Sequence, residues 1–396
     1  MRRDAHATGL AAGSRKPTRL ACQTDITPVA IGIDTRAHRR RSSSLSTSST
    51  SLPQILVPRW HCHYMEYSSM SNSLTVLVTS AGRRHHLIET FRSDASELGL
   101  ALTVVAVDSR PELSAACKSA DFCAAVPRCT SPDYPHVLAD LCAQYGATVL
   151  VPTIDTELLA LAEARASFQS RGVSVVISTP LAIRVARDKL LTASTLLAAG
   201  VPTPMTIPLT EAIAREDCLE GPVILKPVDG SNSIGIIRLA NLSGVRALDV
   251  DPGSYVAQQL CEGPEFTVNC YVSRQDEVLA AVPHRRLEVR GGEVSKARTE
   301  RRADLIDQAA RIVAAIPGLQ GPFCFQAIVG HDGPRIIEVN ARFGGGYPIA
   351  HAAGAHFGRW IMEEHLQRRP IAAPAWEDGV LMLRYDSAVF VRGRHS

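Results

Sequence analysis

From residue 74 onward, short apolar runs alternate with helical stretches, and this alternation limits the fold more than any other feature. The runs are LTVLVTS (74–80), ALTVVAVD (101–108), ATVLVPT (147–153) and VSVVIS (173–178). Runs this short and this apolar suit strands buried beneath crossover helices. Strands alternating with helices over short loops indicate a parallel α/β sheet. The turn after the first run, TSAGRR, has the look of a phosphate loop, but it lacks the three glycines of GxGxxG. A nicotinamide-dependent oxidoreductase is therefore disfavoured. Asp108, at the end of the second run, reads as a strand-end turn residue.

A helical stretch at 181–200 ends on Gly200, a C-cap residue. The prolines of VPTPMTIPL then bar a helix and mark a linker into a different region. Beyond it the pattern is mostly antiparallel strands, with hairpin turns at HDG (331–333) and RGGE (290–293), and one helix around 301–316. The fold class is α/β followed by α+β.

Composition bounds the function. The chain has 396 residues, 45% hydrophobic and 20% charged, and no apolar run approaches the roughly 18–20 residues that cross a membrane. Its net charge of +3 is unevenly placed. Residues 1–72 hold ten Lys/Arg against four Asp/Glu, which leaves the remainder slightly acidic, without the basic stripe of a nucleic-acid binder. Ten scattered cysteines with no CxxC pair read as reduced thiols in a cytosol-like compartment, so the expected location is cytoplasmic. The leader at 1–72, with RRRSSSLSTSSTSLP at its centre, is too polar to offset its ordering entropy and is expected to be disordered. It also looks like a transit peptide, and Met65 and Met70 offer alternative starts. HCHYME (61–66) has no second ligand cluster beside it and reads as non-metal.

The chemistry concentrates in three stretches. In ILKPVDGSNSIGI, Lys226 ends a strand before a small-residue loop with Gly230, Ser231, Ser233 and Gly235; such loops let backbone N–H groups approach phosphate oxygens while the lysine neutralises charge. Lys189 lies on the helix before it. In VAQQLCEGPEFTV, Gln258 and Leu260 fall on one face and Gln259 and Cys261 on the other, a strand end that could read an adenine edge, with Glu265 placed for ribose hydroxyls. In CFQAIVGHDGPRIIEVNAR, Gln326 and Glu338 lie on two strands joined by a tight turn. With Asn340 they form an all-oxygen, single-carboxylate set of the kind Mg²⁺ prefers. Arg342 would offer a planar fork to a phosphoryl or acyl-phosphate oxygen. Gly344–Gly346, with Gly345 at its centre, would let the backbone close on substrate. On the substrate side, Arg286 or Arg290 is expected to hold a carboxylate, and Asp155 and Glu157, at the carboxyl edge of the parallel sheet, to recognise an amine.

Two lysines, a Gly/Ser loop, QQxxEGPEFTV and a terminal Q…ExNxR, in this order, resemble the ATP-grasp superfamily. The closest look is to single-module proteins similar to the carbamoyl-phosphate synthase large chain, with a more distant look to D-alanine–D-alanine ligase and biotin carboxylase. The resemblance implies a pre-ATP-grasp α/β domain at 73–180 and a two-lobed ATP-grasp domain at 181–396, with a small lobe about 201–260 and a large lobe about 261–390. It implies that Lys189 and Lys226 bind the α- and β-phosphates of ATP and that residues 230–235 cover the γ-phosphate. Gln258–Cys261 would hold adenine and Glu265 ribose. Gln326, Glu338 and Asn340 would ligate Mg²⁺, with Mn²⁺ able to substitute, and Arg342 would stabilise the acyl-phosphate transition state. Gln326 stands where many members carry an acid, as it does in the carbamoyl-phosphate synthase branch.

The expected activity is an ADP-forming ligase that joins a small-molecule or peptide carboxylate to an amine, with a homodimer among the assemblies the resemblance allows. The alternatives are carboxyphosphate or carbamoyl-phosphate formation, and a regulatory protein that binds ATP without turnover. One module instead of two argues against carbamoyl-phosphate formation. The full metal and phosphoryl-transfer set argues against the regulatory reading.

Overall fold

The structure, a computed structural model, describes residues 73–215, 218–230, 234–368 and 375–391. The leader at 1–72, with its HCHYME stretch, and Ser231 and Ser233 of the small-residue loop lie outside these residues.

The apolar runs form a parallel sheet. Its strands are β1 (Ser73–Val78), β2 (Ala101–Asp108), β3 (Phe122–Ala125), β4 (Val149–Val151) and β5 (Ser174–Val175), in the order β3-β2-β1-β4-β5. Helices α1 (His85–Glu97), α2 (Ala115–Ser119), α3 (Tyr134–Tyr145), α4 (Asp155–Glu163) and α5 (Arg165–Ser170) connect them. The pattern missed β3, which is short and largely exposed, and overextended β5. Asp108 does serve a turn: its carboxylate accepts from the Gly82 N–H at 2.9 Å and the Arg110 N–H at 3.1 Å.

The helix expected at 181–200 is two helices, α6 (Pro180–Arg187) and α7 (Lys189–Ala198). Asp188 between them is extended, and its carboxylate accepts from the N–H groups of Leu190 and Leu191 at 2.8 and 2.9 Å. An aspartate side chain that caps the following turn ends one helix and starts the next. Lys189 is thereby the first residue of a helix instead of a mid-helix surface residue.

Two antiparallel sheets follow. The smaller holds β6 (Thr206–Pro208), β7 (Val223–Pro227), β8 (Ile237–Leu239) and β9 (Tyr255–Gln259), in the order β6-β9-β7-β8, with α8 (Leu209–Ala214) packed on it. The larger contains β10 (Glu265–Val272), β11 (Val278–Arg290), β12 (Glu293–Thr299), β13 (Gly321–Gly330), β14 (Gly333–Asn340) and β15 (Leu381–Leu383). Its order is β14-β13-β10-β11-β12-β15. Helix α9 (Ala303–Ala315) covers it, and α10 (Tyr347–Ala352) and α11 (Phe357–His365) follow the glycine run.

The apolar cores explain how these parts hold together. Residues of the parallel sheet and the six-stranded sheet share two continuous clusters; one joins Val76 and Phe91 to Tyr271, Phe343 and Trp360. The four-stranded sheet has a separate core around Leu209, Val223, Leu225 and Ala257. Each cluster buries side chains whose removal from water supplies the main favourable term in folding.

Candidate active site

The polar ends of β13 and β14 meet across a break in the hairpin's register. Across this hairpin Gln326 pairs with Glu338 and Cys324 with Asn340, and a register shift follows between Gln326 and Ala327. Directly opposed residues project to the same side of a sheet, so Gln326 and Glu338 present oxygen donors together.

Two lysines approach them from other elements. Lys226 is the fourth residue of β7 and only 8% exposed; its Nζ donates to Gln258 Oε1 at 2.7 Å. Gln258 in turn donates through Nε2 to Thr206 Oγ1 at 2.8 Å. Lys189 Nζ donates to the Gly230 carbonyl at 2.6 Å, and its backbone N–H to Val228 O at 3.1 Å, so the start of α7 is stitched to the loop after β7. Burial lowers the pKa of both lysines; the Glu338 carboxylate acts on each in the opposite sense. A carboxylate set between two partly desolvated ammonium groups is the charge arrangement of a site for phosphates and a cation.

Lys189, Lys226, Gln258, Glu265, Gln326 and Glu338 line one cleft between the two antiparallel sheets, and Gln259, Cys261 and Gly230 line it with them. Its cavity volume is about 180 Å³, and it opens to solvent at the mouth. Ile234, Ile236, Ile328 and Ile337 give it apolar walls. Such walls suit a purine ring, and no motif in the sequence had pointed to them. Burial raises the pKa of the Cys261 thiol, so it faces the cleft as a neutral group. Gly235 has φ +74°, and a Cβ there would lie 2.9 Å from the Tyr255 hydroxyl, so the loop turns back over β7 only with glycine. A neighbouring depression holds Asp155, Asp229, Glu338 and Asn340.

Arg342 follows β14 and is tied down on three sides. It donates to Asp155 Oδ2 from Nε at 3.1 Å and Nη2 at 2.7 Å, to Asn340 Oδ1 at 3.3 Å and to its neighbour's carbonyl, Phe343 O, at 3.0 Å.

Other expected residues sit differently. Glu157 is fully buried away from the cleft; it accepts from Tyr134 Oη at 2.5 Å, Ser80 Oγ at 2.8 Å and the N–H groups of Thr153 and Ile154. It closes the first turn of α4 and has no free edge for an amine, which corrects that expectation. Arg290 pairs with Asp386 on the exposed surface at 3.2 Å and lines neither depression. Arg286 lies 2.9 Å from Glu265, the expected ribose acceptor, and donates to Thr267 Oγ1 at 3.3 Å. Gln258, expected at adenine, spends its amide on Lys226 and Thr206. Asp155 meets Arg342 directly. Gly345 presents its carbonyl to Arg384. A Cβ on Gly344 would stand 2.7 Å from Asn269 Oδ1, and one on Gly346 would stand 2.7 Å from His284 Nε2, so the run is glycine because β10 and β11 press against it.

Residues 76–176 match the family described as PylC-like, N-terminal domain, and residues 186–346 match the ATP-grasp domain family. Residues 186–346 are an ATP-grasp domain. The cleft described above lies within it. A D-alanine–D-alanine ligase of Marinomonas sp. (strain MWYL1) is 33% identical over 99 residues, 23% of this chain and 31% of that ligase. The chain thus spans about a third of the curated relative it matches.

Solved structures share the fold. The L-amino acid ligase of Bacillus licheniformis superposes with TM-score 0.57 at 19% identity, over 74% of each chain. N5-carboxyaminoimidazole ribonucleotide synthetase of Thermotoga maritima gives 0.57 at 16%, over 76% of this chain and 78% of that one. The biotin carboxylase domain of Hydrogenobacter thermophilus 2-oxoglutarate carboxylase gives 0.59 at 19%, over 75% and 70%; it was solved with MgADP, ADP and bicarbonate. Among the described residues, no helix is long and apolar enough to cross a membrane.

Proposed function

We propose that the protein is an ATP- and Mg²⁺-dependent ligase that activates a substrate carboxylate as an acyl phosphate and joins it to an amine, releasing ADP and phosphate. The observation that carries this reading is the convergence of Lys189, Lys226 and Glu338 in one cleft, with Gln326 directly opposite Glu338.

ATP would lie with its base against the isoleucine walls and its phosphates toward the two lysines. The oxygen donors of Gln326, Glu338 and Asn340 fit a hard divalent cation and hold no soft ligand among them. That cation, when bound, neutralises phosphate charge and fixes the γ-phosphoryl group for in-line displacement. The substrate carboxylate oxygen attacks the γ-phosphorus; a new P–O bond forms as the bond to the β-phosphate oxygen breaks, and ADP leaves. The amine nitrogen then attacks the acyl carbon. A C–N bond forms, the C–O bond to phosphate breaks, and the nitrogen loses a proton.

Arg342, held in the plane set by Asp155, would offer its remaining donor capacity to the oxygen that gains charge in both steps. No side-chain nucleophile is required, so catalysis rests on positioning and charge.

The test is release of ADP and phosphate from ATP/Mg²⁺ by the full chain, against pooled amino acids and carboxylic acids, with hydroxylamine to trap an acyl phosphate. Bicarbonate as sole acid forms a separate arm. Release that requires an added acid and disappears in Glu338→Ala establishes the ligase. ATP binding without release under any pool replaces it with the regulatory reading, and release with bicarbonate alone replaces it with carboxyphosphate chemistry.

A further inference from the structure

A second charged cluster lies at the carboxyl edge of the parallel sheet. In the order β3-β2-β1-β4-β5 the chain departs to opposite sides from β1 and β4, and α/β sheets bind ligands in the crevice such a reversal leaves. The exit from β4 supplies Asp155, already bound to Arg342. The exit from β1 supplies Arg83 and Arg84.

Two further groups meet them there: Glu293, the first residue of β12, and Arg384 from the segment after β15. Arg84 Nη1 lies 3.2 Å from Glu293 Oε1, Arg384 Nη1 lies 3.2 Å from Oε2, and Arg83 Nη2 lies 3.9 Å from Oε2. Arg384 also donates through Nη2 to the carbonyl of Gly345, three residues from Arg342.

One carboxylate therefore faces three guanidinium groups, an excess of two positive charges. Burial of Arg84 lowers its pKa, Glu293 opposes that, and the charges of Arg342, Arg384 and Arg83 act with burial. Among the described residues, the Nε of Arg384 is buried with no acceptor. A structural ion pair needs one guanidinium per carboxylate, and like charges gathered beyond that repel. The surplus is what an incoming anion would neutralise, and paired guanidinium forks suit carboxylate or phosphate oxygens. The cluster is within the electrostatic reach of Arg342, yet none of its members lines the nucleotide cleft.

We propose that Arg84 and Arg384, with Arg83 at the rim, bind an anionic group of the substrates other than the carboxylate that is activated, either a second carboxylate or a phosphate. Glu293 stands in for that group, holding the two forks in place and yielding them when it arrives. The proposal rests on the ligase reading and narrows it to substrates that carry an additional negative charge.

The experiment is calorimetric titration of the full chain, pre-saturated with ADP and Mg²⁺ and at low salt, with glutarate and separately with inorganic phosphate. The expected result is one saturable site for at least one anion, the better one identifying the group as carboxylate or phosphate. Binding weakens by at least about ten-fold in both Arg84→Gln and Arg384→Gln, while ADP affinity, measured alongside, shows that the nucleotide cleft is intact. Glu293→Gln removes the competing carboxylate and should tighten anion binding several-fold, a gain that a purely structural ion pair does not produce. Absence of binding by both anions overturns the proposal. So does binding that the two arginine variants leave unchanged, or a Glu293→Gln protein that binds the anions no better than wild type. Anion binding with these dependences in a protein that never turns over ATP would leave this site standing and remove the ligase. Turnover of every accepted substrate with unchanged KM in Arg84→Gln would remove the site and leave the ligase.

Discussion

Arg342 and Asp155, 187 residues apart in the chain, meet through two donors on one oxygen: Nε at 3.1 Å and Nη2 at 2.7 Å from Oδ2. Their side chains are 12% and 13% exposed, so the pair joins the end of β14 to the first turn of α4 in a mostly desolvated place. Burial acts to lower the Arg342 pKa, and the Asp155 carboxylate together with Cys324 and Glu338 more than reverses it, so the net shift is upward and the guanidinium stays charged.

Asp155→Ala should leave that cation unpaired. Breaking a buried pair costs about 3–5 kcal/mol, and the lower end applies here because the pair retains some solvent. Urea unfolding measures this loss. Turnover should fall about 100-fold with KM for ATP little changed, because the arginine is misplaced but the nucleotide cleft is not. Asp155→Ala with the stability and turnover of wild type would show that Arg342 is positioned by something else.

Glu338→Gln keeps the side-chain shape and removes its charge. Under the cation assignment, the Mg²⁺ concentration for half-maximal activity should rise by at least about ten-fold. With EDTA present the sign reverses: Lys189 and Lys226 lose their opposing carboxylate, and ADP should bind several-fold more tightly than to wild type. Equilibrium binding of ADP with and without Mg²⁺ reads both effects. Weaker ADP binding in EDTA would contradict the arrangement.

The break between α6 and α7 depends on Asp188. Asp188→Ala removes the N-cap, at a cost of about 1 kcal/mol in stability, and loosens the turn that presents Lys189. KM for ATP should rise by roughly ten-fold with a smaller change in kcat, since the lysine's role is in holding phosphate. Asp188→Ser, which restores a capping oxygen, should recover most of both losses. Thermal unfolding and steady-state kinetics on the two variants settle it.

Asp94 predicts a pH signature. It is buried on α1, and its Oδ1 accepts from His356 Nδ1 at 2.6 Å and His351 Nε2 at 2.9 Å, while Oδ2 accepts from the Arg359 N–H. Burial raises the Asp94 pKa, but the two imidazoles bring it below the ordinary 3.8. The hydrogen bond to Asp94 raises His356 above 6.5. A raised histidine binds more protons folded than unfolded, so its stabilisation is complete below pH 6.5 and fades as pH climbs through the raised value. The depressed aspartate contributes above pH 3.8 and loses that contribution as pH falls through its folded value. The stability gap between wild type and His356→Ala should therefore be widest between about pH 4 and 6.5 and narrow above it. Urea unfolding of both proteins across pH 4–9 tests this; a gap that widens with pH would refute it.

Local chemistry in the sequence determined a great deal. Apolar runs with helices between them specify parallel strands, because only strands covered on both faces can bury every side chain. The tight turn at His331–Gly333 brings the polar ends of β13 and β14 together, but its register alone would set Gln326 against Ile337, and the shift after Gln326 is what places Glu338 opposite it. Lys226 before a small-residue loop follows from the same local logic. The tertiary structure alone decided which of the remaining polar residues meet. Asp155 and Glu157 sit two apart on one helix start, yet α4 turns the first toward Arg342 and the second into the protein, where Tyr134 and Ser80 fill its lone pairs. Arg286 and Arg290 share a strand, but register shifts at 286–289 and the strand's exposed end send one to Glu265 and the other to the surface. The gathering of Arg84, Glu293 and Arg384 depends on sheet order and on β15 pairing with β12. Periodicity fixes the face a side chain takes on its own element; its partner depends on how elements far apart in the chain pack, and that is set by burial of the whole core.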